Sequence, residues 1–178
     1  RLVSMIVLMI RERRREKDFD YEAVKHRKEY PLVSIIVPAY NEEVNAVSSL
    51  KNLLKQDYPN FNIIFVDDGS KDDTYKRVCE ALSDNEKIRI LTKPNGGKAS
   101  ALNYGIDHTG ADYLVCIDAD TKLYPNAVSI LMMHFLREGS EDIGAVAGNV
   151  KVGNQINMLT KWQAIEYTTS QNFDRMAY

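Results

Sequence analysis

Cysteine is scarce in this chain. Cys79 and Cys116 are the only two in 178 residues. They lie far apart in apolar surroundings without metal-ligand spacing, which excludes a disulfide framework or a zinc module and suits reduced structural thiols. Histidine is equally sparse. His26, His108 and His134 are scattered, and none stands at a recognisable spacing from a nucleophile, so serine or cysteine triad chemistry is excluded. An excess of positive charge is also lacking: the net charge is -2 and the pI about 6.0, without the overall basic field that a nucleic-acid binder needs to neutralise phosphates. Internal repeats and low-complexity tracts are absent. The apolar run Leu2 to Ile10 is well short of the roughly 20 residues that cross a bilayer.

With 44% hydrophobic and 27% charged residues, the chain can bury a core of domain size. The run from Leu2 to Ile10 is followed at once by Arg11-Glu-Arg-Arg-Arg-Glu-Lys17. Residues 1–30 therefore read as the end of a transmembrane or interfacial helix with positive-inside flanking charge, plus a charged connector. A short amphipathic helix with a solvated charged face is the alternative. The chain starts at Arg1 and ends in a helix-like segment, as a piece of a longer protein would.

From residue 31 the pattern alternates. Val33–Val37, Asn62–Val66, Ile88–Leu91, Tyr113–Ile117 and Ile143 to about Lys151 predict five strands. Between them, residues 42–56, a segment opened by a Ser70/Asp73 capping box, a segment from Lys98 to about Asp107, and one from Pro125 to about Arg137 predict helices. This order predicts a doubly wound, mainly parallel α/β sheet with helices on both faces over residues 31–153. An amphipathic helix over 154–178 follows, either core-facing or presented to a membrane or partner.

In such a sheet, ligands bind beyond the carboxyl ends of the strands, and four polar segments should share that edge. Asp118-Ala-Asp120 places two carboxylates two residues apart as the chain leaves a strand. They suit a hard cation, Mg²⁺ or Mn²⁺, with positions left open for phosphate and water, although acidic pairs also serve as caps or solvated turns. Asn95-Gly-Gly-Lys98 offers the Gly97 backbone and the Lys98 ammonium to phosphate oxygens at a helix start, and it lacks the spacing of a P-loop. In Asp67-Asp-Gly-Ser70, Asp68 is the better candidate to accept the imide N–H of a uracil, with helix-dipole stabilisation as the plainer role. Pro38-Ala-Tyr-Asn-Glu42 supplies Tyr40 as an aromatic platform and Glu42 as an acceptor for a sugar hydroxyl, or else a helix cap. Asp118-Ala-Asp-Thr121 also fits the nucleophile loop of haloacid-dehalogenase-type phosphatases. That loop follows a first strand, whereas this one follows the fourth.

The segments 33–42, 66–70, 96–103 and 118–120, in this order and spacing, resemble family 2 glycosyltransferases. Gly97 to Asn103, Ala145 to Asn149 and Trp162 to Tyr167 are most similar to processive membrane polysaccharide synthases, such as those of poly-N-acetylglucosamine, hyaluronan and cellulose. The resemblance implies a GT-A fold, a UDP-sugar donor, inversion at the anomeric carbon, a polysaccharide acceptor and a place on the cytoplasmic face of the plasma membrane. It further implies that Pro38, Tyr40, Glu42 and Asp68 line the uridine, Gly97 and Lys98 the diphosphate, and Asp118 and Asp120 the metal and sugar. The family's general base and its Gln-x-x-Arg-Trp motif find no counterpart here, so this stretch alone should bind a donor without transferring its sugar. Glu141-Asp142 has the letters of the base motif but precedes the fifth predicted strand. A non-catalytic docking module and a nucleotidyltransferase taking a triphosphate are the competing readings.

Overall fold

The computed structural model describes residues 29–137, 139–148 and 162. They belong to two compact units, divided between Met133 and His134. The larger unit carries the sheet. Its strands are β1 (Val33–Ala39), β2 (Phe61–Asp67), β3 (Ile88–Thr92) and β4 (Tyr113–Cys116), and its helices are α1 (Ala46–Leu53), α2 (Thr74–Leu82) and α3 (Lys98–Ile106). A fourth helix, α4 (Ala127–Leu136), begins in this unit and runs through the division.

All pairings are parallel and the strand order is β3-β2-β1-β4. β1 and β2 are central, so nearly every residue of Val33–Ala39 and Phe61–Asp67 is buried, which explains their continuous apolar runs. The chain winds outward from β1 through β2 to β3, then reverses and returns to the other side of β1. With right-handed crossovers, this reversal sends α1 and α2 to one face and α3 to the other. α3 lies close against β1 and β2. Ala101 is buried among Ile36, Ile64 and Val66, and a Cβ on Gly105 would stand 2.6 Å from Cγ2 of Ile36. On the opposite face, Ile35, Val37, Ile63 and Phe65 are fully or almost fully buried, as are Leu50, Leu53 and Val78 from the helices.

Pro38 inside a central strand has a simple reason. β4 pairs with β1 only from Val33 to Ile36, so no neighbour asks for an amide at residue 38 on that side. The early end of β4 also opens a gap beside β1 at the point where the winding reverses, the usual place for a ligand in a sheet of this kind.

Several expectations need correction. Ile143–Gly148 forms no strand, and its two glycines weaken any ladder there; residues 149–151 lie outside the described residues. The first helix starts at Ala46 rather than residue 42: the Asn45 and Ala46 amides both bond the Glu42 carbonyl in a turn, while the Glu42 and Glu43 amides are held by Thr74 and Asp72 of the neighbouring loop. The Ser70/Asp73 capping box is not made. Asp72 instead accepts the Thr74 N–H at 3.0 Å. Cys116 is exposed rather than set in an apolar environment. The expectations for residues 1–28 and for the helix over 154–178 lie outside the described residues, apart from Trp162, which is helical and exposed. No helix among the described residues is long and apolar enough to cross a membrane.

Candidate donor site

The carboxyl ends of the four parallel strands bring the four predicted segments to one edge. The first two are laced together. Asn41 adopts a left-handed backbone (φ 57°), a conformation asparagine tolerates better than most residues. Its N–H donates to Oγ of Ser70 at 2.9 Å, and its Oδ1 accepts the N–H of Lys71 at 2.8 Å. The Glu42 N–H donates to Oγ1 of Thr74 at 2.8 Å, and the Glu43 N–H to Oδ2 of Asp72 at 3.3 Å. Glu42 spends Oε2 on the side-chain amide of Asn45, within its own turn. Tyr40 stands at the lip of this edge with its ring partly in solvent, and Pro38 is buried behind it.

Asp68 links the second loop to the third. It is 3% exposed, and both its oxygens are engaged. Nζ of Lys93 donates to Oδ1 at 2.7 Å, the Gly96 N–H to Oδ1 at 3.0 Å and Oδ2 at 3.2 Å, and the Gly97 N–H to Oδ2 at 2.7 Å. Burial works to raise its pKa. The Lys93 bond, the two glycine amides and the Lys93 charge outweigh burial and hold the carboxyl below its ordinary 3.8. Gly69 makes the close approach of the loops possible: its φ is +70°, and a Cβ there would lie 2.8 Å from the backbone nitrogen of Asn95. Next door, Oδ2 of Asp67 accepts from the Ser70 amide and the Thr92 hydroxyl, while its Oδ1 is buried with no hydrogen-bond partner among the described residues. The base-recognition residue suggested by sequence thus also organises the phosphate-type loop. That role for Asp68, and the part of Lys93 in it, escaped the sequence reading. The one local signal was a lysine at a strand end, immediately ahead of Pro94-Asn95-Gly-Gly.

The last two segments meet through Lys98 and Asp118. Lys98 opens α3 after Gly97, whose φ of 86° turns the chain into the helix, and its Nζ is ion-paired with Oδ1 of Asp118. Both side chains remain more than half exposed. After β4 the chain does not stay extended. Thr121 N–H donates to the Asp118 carbonyl at 3.0 Å, forming a turn that buries Ala119 and leaves Asp118 and Asp120 in solvent. Beyond the turn, the Leu123 N–H bonds Oδ1 of Asn52, and Gln56 accepts from the Val128 N–H and donates to the Tyr124 carbonyl. The two acids therefore sit on a short exposed turn whose far end is fixed to α1.

Two exposed carboxylates are donors of the kind Mg²⁺ or Mn²⁺ accepts, and the turn leaves room for further oxygen ligands. No group of three or more potential metal ligands is gathered among the described residues.

Residues 34–176 match the family model described as glycosyl transferase family 2. The poly-beta-1,6-N-acetyl-D-glucosamine synthase of Staphylococcus aureus strain COL is 34% identical over 137 residues, 77% of this chain and 33% of that protein. The synthase of Staphylococcus epidermidis is 33% identical over the same length and shares. This chain spans about a third of the length of the curated relatives it matches. Among solved structures, the mannosyltransferase PcManGT from Pyrobaculum calidifontis in complex with GDP-Man and Mn²⁺ superposes with a TM-score of 0.58. It is 23% identical, with 66% of this chain and 38% of that one covered. S. aureus TarS 1–349 in complex with UDP-GlcNAc gives a TM-score of 0.52 at 25% identity, covering 58% of this chain and 30% of TarS.

Proposed function

This chain belongs to glycosyl transferase family 2 and has the GT-A fold, and from that premise we propose that it is the donor-binding part of an inverting transferase. Its donor is a UDP-sugar, UDP-N-acetylglucosamine by preference, and its acceptor a growing polysaccharide. The observation that carries this reading is the convergence of four polar loops on one sheet edge, with a buried carboxylate and glycine amides at one end and an exposed lysine and acid pair at the other. That arrangement suits a ligand with an uncharged planar head and a strongly anionic middle. The names of the S. aureus relatives, a poly-N-acetylglucosamine synthase and a protein solved with UDP-GlcNAc, favour N-acetylglucosamine.

In the proposed complex, Tyr40 gives the uracil a face to stack on, Asp68 meets its imide edge, and Glu42 stands near the ribose. From the start of α3, directly after Gly97, whose own N–H is held by Asp68, Lys98 faces the diphosphate. Asp118 and Asp120 would hold Mg²⁺ or Mn²⁺ beside it, and a cation bound there supplies Lewis-acid neutralisation of the pyrophosphate charge. During transfer the acceptor oxygen bonds to the anomeric carbon as the bond from that carbon to the diphosphate breaks, and negative charge grows on UDP. Lys98, freed from Asp118, offsets that charge in a position set before the reaction begins. The proton of the acceptor hydroxyl goes to a base outside the described site. We place the whole protein at the cytoplasmic face of the plasma membrane, on the strength of the apolar run before Arg11 and its basic flank.

The test is a thermal-shift series on the 178-residue chain with UDP, UTP and UDP-N-acetylglucosamine, with and without Mn²⁺, beside Asp120→Ala. At about ten times the dissociation constant, stabilisation of roughly 1.4 kcal/mol is expected, present with Mn²⁺ and lost in the variant. A folded protein indifferent to both nucleotides would refute the donor reading and favour a docking module. A preference for UTP over UDP would point to a nucleotidyltransferase.

A further inference from the structure

Lys93 is a cation at the end of β3 whose side chain is only 14% exposed. An ammonium withdrawn from water is costly unless its donors are engaged. Here two of them are: Oδ1 of Asp68 and the Pro94 carbonyl each lie 2.7 Å from Nζ. The carboxylate it holds is the one that collects the Gly96 and Gly97 amides. Gly96 closes directly over the ammonium, since a Cβ there would stand 2.9 Å from Nζ. Lys93, Asp68 and the two glycines therefore form one packed cluster, and the next residue along the chain is Lys98, at the start of α3.

We infer that Lys93 is a positioning residue for a nucleoside diphosphate: without touching the ligand, it holds Asp68 and so aims the Gly96–Gly97 turn and the first turn of α3. The inference rests on the donor-site reading above. Its physical content is that Asp68 has two tasks, and Lys93 makes them compatible. A buried carboxylate facing only two amides would be under-compensated, and it would protonate or turn away. Paired with Lys93, it stays ionised and keeps the amides in place. Among the described residues, Lys93 is the one ionisable side chain bonded to Asp68. The loop after β1 reaches it through the Ala39 carbonyl, which accepts the Asp68 N–H at 2.8 Å, and Asp67 turns Oδ2 toward Ser70 and Thr92.

The experiment compares the 178-residue chain with Lys93→Met and Lys93→Arg in three measurements: Gly96 and Gly97 amide exchange without ligand, the Asp68 carboxyl titration by carbon NMR, and UDP affinity with Mn²⁺ from pH 5 to 8. Lys93→Met should speed exchange at both glycines and move the Asp68 titration upward. It should weaken UDP by about tenfold near neutrality, and the ratio of its affinity to that of the unchanged protein should fall further toward pH 5, the titration of the UDP phosphate itself being common to both. Lys93→Arg should restore most of the affinity. A role in stability alone would lower Tm and leave the UDP pH profile of the folded fraction unchanged, which overturns the inference. Unchanged glycine exchange overturns it as well. If the unaltered chain fails to bind UDP, the donor reading falls, and ligand-free exchange still judges the link between Lys93 and the glycine turn. Should Lys93→Met not fold, Lys93→Gln carries the same comparison.

Discussion

The two halves of the candidate site are built on opposite principles. The base half, made by the loops after β1, β2 and β3, is closed and internally bonded: Asp68 is 3% exposed and holds three donor groups. The phosphate half, made by Lys98 and the turn after β4, is open, with Lys98 and Asp118 side chains 62% and 54% exposed. The first half is pre-formed by folding. In the second, an exposed ion pair adds little to stability, and the same groups gain strength only when a ligand displaces water from them. On the proposed function, a site divided in this way would meet the constant part of a nucleotide with rigid parts. It would leave the charged part adjustable.

The sharpest way to break this contrast is Gly69→Ala. The added Cβ meets the Asn95 backbone and demands a left-handed conformation, so a loss of about 2–4 kcal/mol is expected, read by urea unfolding. A loss below about 0.5 kcal/mol would mean that the closed half is not rigid. Asp120→Ala should act in the opposite manner. It should leave ligand-free stability within about 0.5 kcal/mol while removing the Mn²⁺-dependent part of a UDP-induced shift, roughly 1.4 kcal/mol at tenfold saturation. Acid should next open the closed half selectively. Asp68 and Asp72 both have folded pKa values lowered from 3.8, so their stabilisation is complete above that value and is lost as pH falls through the folded ones. Amide exchange at Gly96, Gly97 and Thr74 should therefore accelerate below about pH 4, beyond the ordinary pH dependence of exchange, and equal behaviour at Thr121 would erase the distinction. The smallest effect is expected for Lys98→Met, which should cost under about 1 kcal/mol of stability yet clearly weaken UDP. A large drop in Tm would show the phosphate half to be structural.

The strands were legible because their information is local. β-branched runs bounded by Pro, Asp and Asn placed β1 to β4 within one or two residues, and the alternation of elements predicted the parallel sheet that the structure has. Helix starts were less legible, since they depend on partners in other loops. Residues 42–56 carry helical spacing through Val44, Val47, Leu50 and Leu54, yet Glu42 and Glu43 are tied to Thr74 and Asp72, some thirty residues away, and α1 begins only at Ala46. Ser70 has the form of a cap and instead receives the Asn41 amide. At the site, the sequence pointed to four polar segments, and folding brought those loops to one edge. Lys93 was overlooked because its value comes from burial beside Asp68, which no spacing rule reveals. The missing fifth strand at 143–148 shows the converse, since an apolar run forms a ladder only where a neighbour stands ready to pair with it.

The reciprocal bonds of Asn41 with Ser70 and Lys71 also bear on how such a chain can change over generations. An extra residue after Glu42 or after Gly69 would throw several partners out of step at once. One added after Asp84, in the exposed turn between α2 and β3, would disturb only its own neighbourhood. The lengths of the connections at the donor edge are therefore fixed by one another. On the proposed function, new donor preferences would have to arise by exchanging side chains on loops of unaltered length, while insertions accumulate at the far end of the strands.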